Sequence, residues 1–109
     1  MKVVSYNCYE GAQNTRDILL GSIADLNPDV LQLQEINEWG VGSPSPFQLL
    51  AEEGGFETAV FGDSNTEFKL GTLARRASLE SEVLRLGFWH CAIHTELPFR
   101  GECLHLWNI

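Results

Sequence analysis

Asn7 and Glu35 each close a short apolar segment, residues 2–6 (KVVSY) and 30–34 (VLQLQ). If those segments are neighbouring parallel strands, the two side chains meet at the carboxyl end of the sheet, where open α/β sheets form ligand crevices. An amide oxygen and a carboxylate are hard donors. They suit magnesium, which takes one or two carboxylates together with waters and phosphate oxygens. The alternative is a loop-capping Asn7 and a solvated strand end at Glu35.

His90, His94 and His105 form a second candidate. If the last two strands pair about a turn at residues 98–101, His94 falls near His105 and shares a face with His90. Three imidazoles could bind zinc. No acidic or Cys residue stands at metal-site spacing, however, which favours sheet histidines with ordinary hydrogen bonds. Trp39, in a glycine-rich loop just past Glu35, offers a ring to stack on a base or sugar, or a packing residue. Arg75 and Arg76 read as a solvated strand end rather than a phosphate clamp, and Cys8 as a small buried residue rather than a reactive thiol.

The elements that must position these residues follow from periodicity. Alternation puts Val3, Ser5 and Asn7 on one face of the first strand and Val4 and Tyr6 on the other. Asn14 and Asp17 resemble a capping box. Leu19, Ile23 and Leu26, joined by Ile18, make an apolar stripe that Pro28 terminates. In residues 30–34, Leu31 and Leu33 share a face with Glu35, opposite Val30, Gln32 and Gln34. Residues 2–35 therefore read as a βαβ unit with parallel strands. A loop over 37–46, a helix begun by Ser45 or Pro46 and ended before Gly54 and Gly55, and a strand over 56–61 follow. Residues 68–75, 79–86, 88–95 and 102–109 alternate and are separated by turn formers, as antiparallel strands are.

With 109 residues the chain holds a single domain, since soluble domains usually span about 100 to 200. A hydrophobic fraction of 44% excludes disorder, while 15 acidic against 7 basic residues exclude a general positive field for a phosphate backbone. A phosphate-ester partner would need a bound cation. Three cysteines without a CxxC spacing argue against a disulfide framework. Without a charged n-region, a signal-like apolar stretch or a membrane-length run, the expectation is a soluble cytoplasmic protein with no signal peptide and no membrane span.

The segments SYNCYEG (5–11) and NPDVLQLQEINEW (27–39) resemble the opening of the endonuclease/exonuclease/phosphatase family of metal-dependent phosphoesterases. There a strand ending in Asn leads through a helix to a "PDVLxLQE" strand. The resemblance continues more weakly through LGTLARR (70–76) and LHLWNI (104–109), similar to the strands "G-x-A-I-L-S-R" and "N-x-H-L". It implies that Asn7 lies by the metal and scissile phosphate, that Glu35 coordinates Mg2+ or Mn2+, and that both are metal-site and catalytic residues. GDSN (62–65) looks like the family's "GDFN" but precedes the LGTLARR strand instead of following "N-x-H-L", so it reads as a turn.

The fold this implies is α/β: the amino-terminal half of a four-layer α/β sandwich, a mixed β-sheet with a leading βαβ unit. Residues 1–109 would be a partial domain whose carboxy-terminal half is missing. Asn108 and Ile109 match the first two positions of "N-x-H-L", and the family's later His, Asp-x-Asn and Asp-His residues have no counterpart. The expected function is a magnesium-dependent phosphoesterase or nuclease-type hydrolase acting on nucleic acid or a small phosphodiester, with this segment itself inactive. The alternative is a non-catalytic module binding a metal or partner through an exposed sheet face. That face, lacking a second sheet, should be apolar and prone to self-association.

Overall fold

The structure of the chain, a computed structural model, describes residues 1–85 and 90–109. Strand β1 (Val3–Asn7), helix α1 (Arg16–Leu26) and strand β2 (Val30–Gln34) form the anticipated βαβ unit. The two strands run parallel in register from Val3↔Val30 to Asn7↔Gln34. The Asn14–Asp17 capping box is not made: Thr15 is the N-cap, without a side-chain bond. Helix entry is set instead by the backbone, through Thr15 N–H to Ala12 O at 2.9 Å. Leu19 and Ile23 turn inward, but Ile18 and Leu26 do not, at 72% and 45% exposed. The buried stripe is thus narrower than the apolar spacing suggests. Asn27, in the left-handed region with φ 47°, ends the helix before Pro28.

After a 3-10 turn (Asn37–Gly40), α2 (Pro46–Gly54) starts as expected. Ser45 and Gln48 form a reciprocal capping box with Pro46 in the first turn. Strands β3 (Thr58–Gly62) and β4 (Leu70–Ala74) complete the first sheet in the order β1-β2-β4-β3, with β4 antiparallel to both neighbours. Its helix-facing side packs Leu31, Leu33 and Leu73 against Leu19, Ile23 and Phe47. Gly71 lets Phe47 approach: a Cβ there would lie 2.5 Å from the ring.

The expectation of a missing second sheet is corrected. Strands β5 (Glu80–Leu84), β6 (Ala92–Phe99) and β7 (Glu102–Asn108) do not extend the first sheet but form their own, in the order β5-β6-β7. The chain leaves the first sheet where Thr58 Oγ1 both donates to Arg76 O (2.8 Å) and accepts from Ser78 N–H (2.7 Å). Between the sheets, Val30, Ala74 and Leu97 meet Leu106, and Leu70, Cys91 and Ile93 meet Val60 and Val83. The face expected to lie open is therefore largely covered. What stays uncovered is β1, whose Val3 is 45% exposed and whose Ser5 and Asn7 are also exposed.

The final hairpin turns on Arg100 and Gly101, with φ 52° and 77°, so β6 runs on through Pro98 and Phe99 instead of ending before the expected turn at 98–101. Positions 86, 88 and 89 of the anticipated strands 79–86 and 88–95 lie outside the described residues. No helix among the described residues is long and apolar enough to cross a membrane.

Candidate functional site

Asn7 ends β1 and Glu35 stands one residue past β2, and the two side chains meet. Asn7 Nδ2 donates to Glu35 Oε1 at 3.1 Å. Strict alternation would set Glu35 on the opposite face from Asn7. The backbone breaks that alternation at Glu35 itself, which adopts a left-handed φ of 54°. A non-glycine residue there is strained by about 1–2 kcal/mol, and such strain gathers at functional sites.

The loop after β1 wraps this carboxylate. Tyr9, Glu10, Gly11 and Ala12 all have positive φ, and their turn is closed by Ala12 N–H to Cys8 O at 2.8 Å. Glu10 N–H donates to Glu35 Oε2 (3.1 Å), and Gly11 N–H to Glu35 O (2.7 Å). Each carboxylate oxygen thus accepts one fixed hydrogen bond and keeps a lone pair. Asn7 Oδ1 accepts from Tyr9 N–H at 2.9 Å, so Asn7 presents its N–H rather than its oxygen to Glu35. The Glu35 carboxylate could hold a magnesium-type cation, and Asn7, which donates to it, could orient it. A cleft of ≈ 340 Å³ opens beside Asn7, lined by Tyr6, Tyr9, Glu10, Gln13 and Asn14. Cys8 is buried, and burial, reinforced by the negative charge of Glu35, pushes its thiol up to about 12. It is a packing residue, as its neighbours suggested.

Gln34, which the sequence reading does not single out, and Asn108, noted there only for its match to "N-x-H-L", support the site. Gln34, beside Glu35, donates through Nε2 to Ser5 Oγ (3.2 Å) and Asn108 Oδ1 (2.7 Å). Asn108, 1% exposed, donates in turn to Leu33 O, Gly71 O and Thr72 Oγ1, tying β7 to β2 and β4. A Gln or Asn inside an otherwise apolar alternating strand is the signal that could have identified them.

The other candidates lie apart. Trp39 is 2% exposed and donates from Nε1 to Gly11 O at 2.9 Å, so it buttresses the loop and offers no stacking face. Asp63 pairs with Lys69 (2.9 Å) beside a turn organised by Ser64, whose Oγ donates to Phe68 O at 2.6 Å. Arg75 is not a solvated strand end. It donates to Pro28 O at 2.8 Å and to Gly54 O, and its guanidinium covers the Phe56 ring. Arg76 donates to Pro98 O at 2.7 Å. His90 bonds Thr66 Oγ1 (2.7 Å), away from the other two histidines, while His94 Nε2 and His105 Nδ1 are 3.0 Å apart.

Neither a family model nor a curated protein matches the sequence. Solved structures do match. An endonuclease/exonuclease/phosphatase family protein from Leptotrichia buccalis superposes with a TM-score of 0.73 at 14% identity, over 100% of this chain and 54% of that one. A humanized D. rerio TDP2 carrying 14 mutations gives 0.70 at 22% identity, over 98% and 48%. The chain spans about half the length of these structures, and its fold is the DNase I-like α/β fold of the endonuclease/exonuclease/phosphatase proteins.

Proposed function

We propose that this chain is the amino-terminal half of a divalent-metal-dependent phosphoesterase domain, with Glu35 holding Mg2+ or Mn2+ and Asn7 orienting Glu35 toward it. The observation that carries the reading is the Asn7–Glu35 pair, closed at 3.1 Å by a left-handed backbone at Glu35. A cation held there would polarise a phosphate oxygen and offset the repulsion between a phosphate ester and a chain of net charge −8. Asn7 keeps the carboxylate aimed, and the loop amides of Glu10 and Gly11 fix the backbone and carboxylate against displacement. A nucleic acid or a small phosphodiester would approach over Tyr6 and Tyr9, exposed beside the cleft.

His94 and His105, which could act as a base, engage one another on the second sheet. Turnover therefore calls for residues of a second half, which would cover the open face of β1. The chain alone is expected to bind the cation and to hydrolyse little. The test is a Mn2+ titration of the whole chain followed by electron paramagnetic resonance, beside a generic phosphodiester assay. Binding of one ion that Glu35→Gln abolishes, with negligible hydrolysis, supports the reading. Absence of Mn2+ binding, or binding indifferent to Glu35→Gln, leaves the non-catalytic partner-binding module as the better account.

A further inference from the structure

The outer face of the second sheet brings together groups that the phosphoesterase reading does not use. Glu82, His94 and Trp107 form one row across β5, β6 and β7, and Glu96 and His105 are directly paired in the next. All point away from the first sheet, because the alternate residues Ile93, Thr95 and Leu97 are fully buried against it.

The ligand atoms of His94, Glu96 and His105 lie within 4.8 Å of one another. His94 Nε2 is 3.0 Å from His105 Nδ1, and His105 Nδ1 is 3.6 Å from Glu96 Oε1. A tetrahedral zinc with bonds of about 2.0–2.1 Å has ligand–ligand edges of about 3.3 Å, between those two distances. The imidazole planes differ by 3° with centroids 5.2 Å apart, the geometry of an edge-to-edge N–H···N bond. A metal would replace that shared proton once the rings swing so that their nitrogen lone pairs, now aimed at each other, converge near the tetrahedral angle.

The surroundings resemble those of a built site. Glu82 Oε1 lies 3.2 Å from His94 Nδ1, which leaves Nε2 free to ligate, the carboxylate–histidine arrangement usual around bound zinc. The Trp107 ring stacks on His94 at 4.4 Å and restrains it. His94 is 13% exposed in its side chain, Glu96 25% and His105 54%, so the cluster is held yet open to solvent. Sequence spacing gave the histidines no acidic partner. The strand register supplies two, Glu96 and Glu82.

We infer that His94, Glu96 and His105 form a zinc-class transition-metal site, oriented by Glu82 and separate from the hard-oxygen site at Glu35. Two imidazoles and one carboxylate favour such an ion over magnesium.

The test is a Zn2+ titration of the whole chain by calorimetry, paired with NMR of the histidine ring nitrogens. In the Glu35→Gln chain, which lacks the proposed hard-oxygen site, one equivalent should bind, moving the ring signals of His94 and His105 and sparing those of His90. Affinity should fall more than about 100-fold in His105→Ala and about 10- to 100-fold in Glu82→Gln. Glu35→Gln should leave it unchanged. Circular dichroism of each metal-free variant checks that it folds, and the titration of the unaltered chain stands whether or not a variant does. No saturable binding, ring shifts elsewhere than at His94 and His105, or affinity retained in the folded His105→Ala variant would overturn the proposal.

Discussion

Gln34 Nε2 donates to Asn108 Oδ1 at 2.7 Å, joining the end of β2 in the first sheet to the end of β7 in the second. The residue after Gln34 is Glu35, so the strand that delivers the candidate ligand is clamped from the far sheet. Asn108 uses its remaining polar atom on Leu33, Gly71 and Thr72. One buried amide thereby satisfies groups on β2, which carries Glu35 at its end, and on its neighbour β4, and ties both to the second sheet.

Asn108→Ala should therefore destabilise the chain by about 2–4 kcal/mol, since it removes several buried hydrogen bonds and leaves the Gln34 amide short of a partner. Urea unfolding should show a lower midpoint at an unchanged slope. A loss below about 0.5 kcal/mol, the level of an ordinary surface change, would mean that the clamp contributes little.

Much of the fold was legible because local signals agreed with one another. Pro28 and Asn27 end α1, Ser45, Pro46 and Gln48 begin α2, and the parallel β1–β2 pair follows from their spacing. The split into two sheets was not legible. Alternation states that a segment is a strand but not which sheet it joins, and here the chain leaves the first sheet where Thr58 grips Arg76 and Ser78. The Asn7–Glu35 convergence was predicted from topology, whereas its geometry rests on the φ of Glu35, which no residue type announces. The sequence leaves Trp39 open between stacking and packing and misplaces Arg75 for one reason: their partners are the backbone carbonyls of Gly11, Pro28 and Gly54, and carbonyls leave no mark in a sequence.

The left-handed backbone at Glu35 has a measurable cost. Glu35→Ala and Glu35→Gly both remove the carboxylate and its bonds to Asn7 and Glu10, and they differ in tolerance of φ 54°. Glycine adopts that conformation freely, so Glu35→Gly should be more stable than Glu35→Ala by about 1 kcal/mol, reversing the usual order in extended or helical backbone. Thermal melts of the two variants decide it. Equal or inverted stabilities would show that the strain is absent in solution.

Trp39→Phe keeps most of the buried ring but leaves Gly11 O without its donor at a site closed to water. The expected cost is about 1–3 kcal/mol. Because Gly11 N–H binds Glu35 O, the same change should loosen the loop around Glu35. Amide exchange of Glu10 and Gly11 should quicken more than that of β4, and a uniform change across both would assign the effect to global stability alone.

Alkaline pH should weaken the fold through Cys8. Its thiol is raised from 9.0 to about 12, first by burial and then by the charge of Glu35. Below pH 9 the thiol is protonated in both folded and unfolded chains, and stability is unaffected. Between about 9 and 12 the unfolded chain releases the proton while the folded one retains it, so stability falls as pH rises through that window. Lys and Tyr titrate in the same range, and the informative quantity is the difference from Cys8→Ala, which lacks the ionisable group. Urea unfolding from pH 7 to about 10.5 should show a steeper decline for the unaltered chain than for Cys8→Ala. Parallel declines would mean that the Cys8 thiol ionises as readily folded as unfolded, which its 2% exposure argues against.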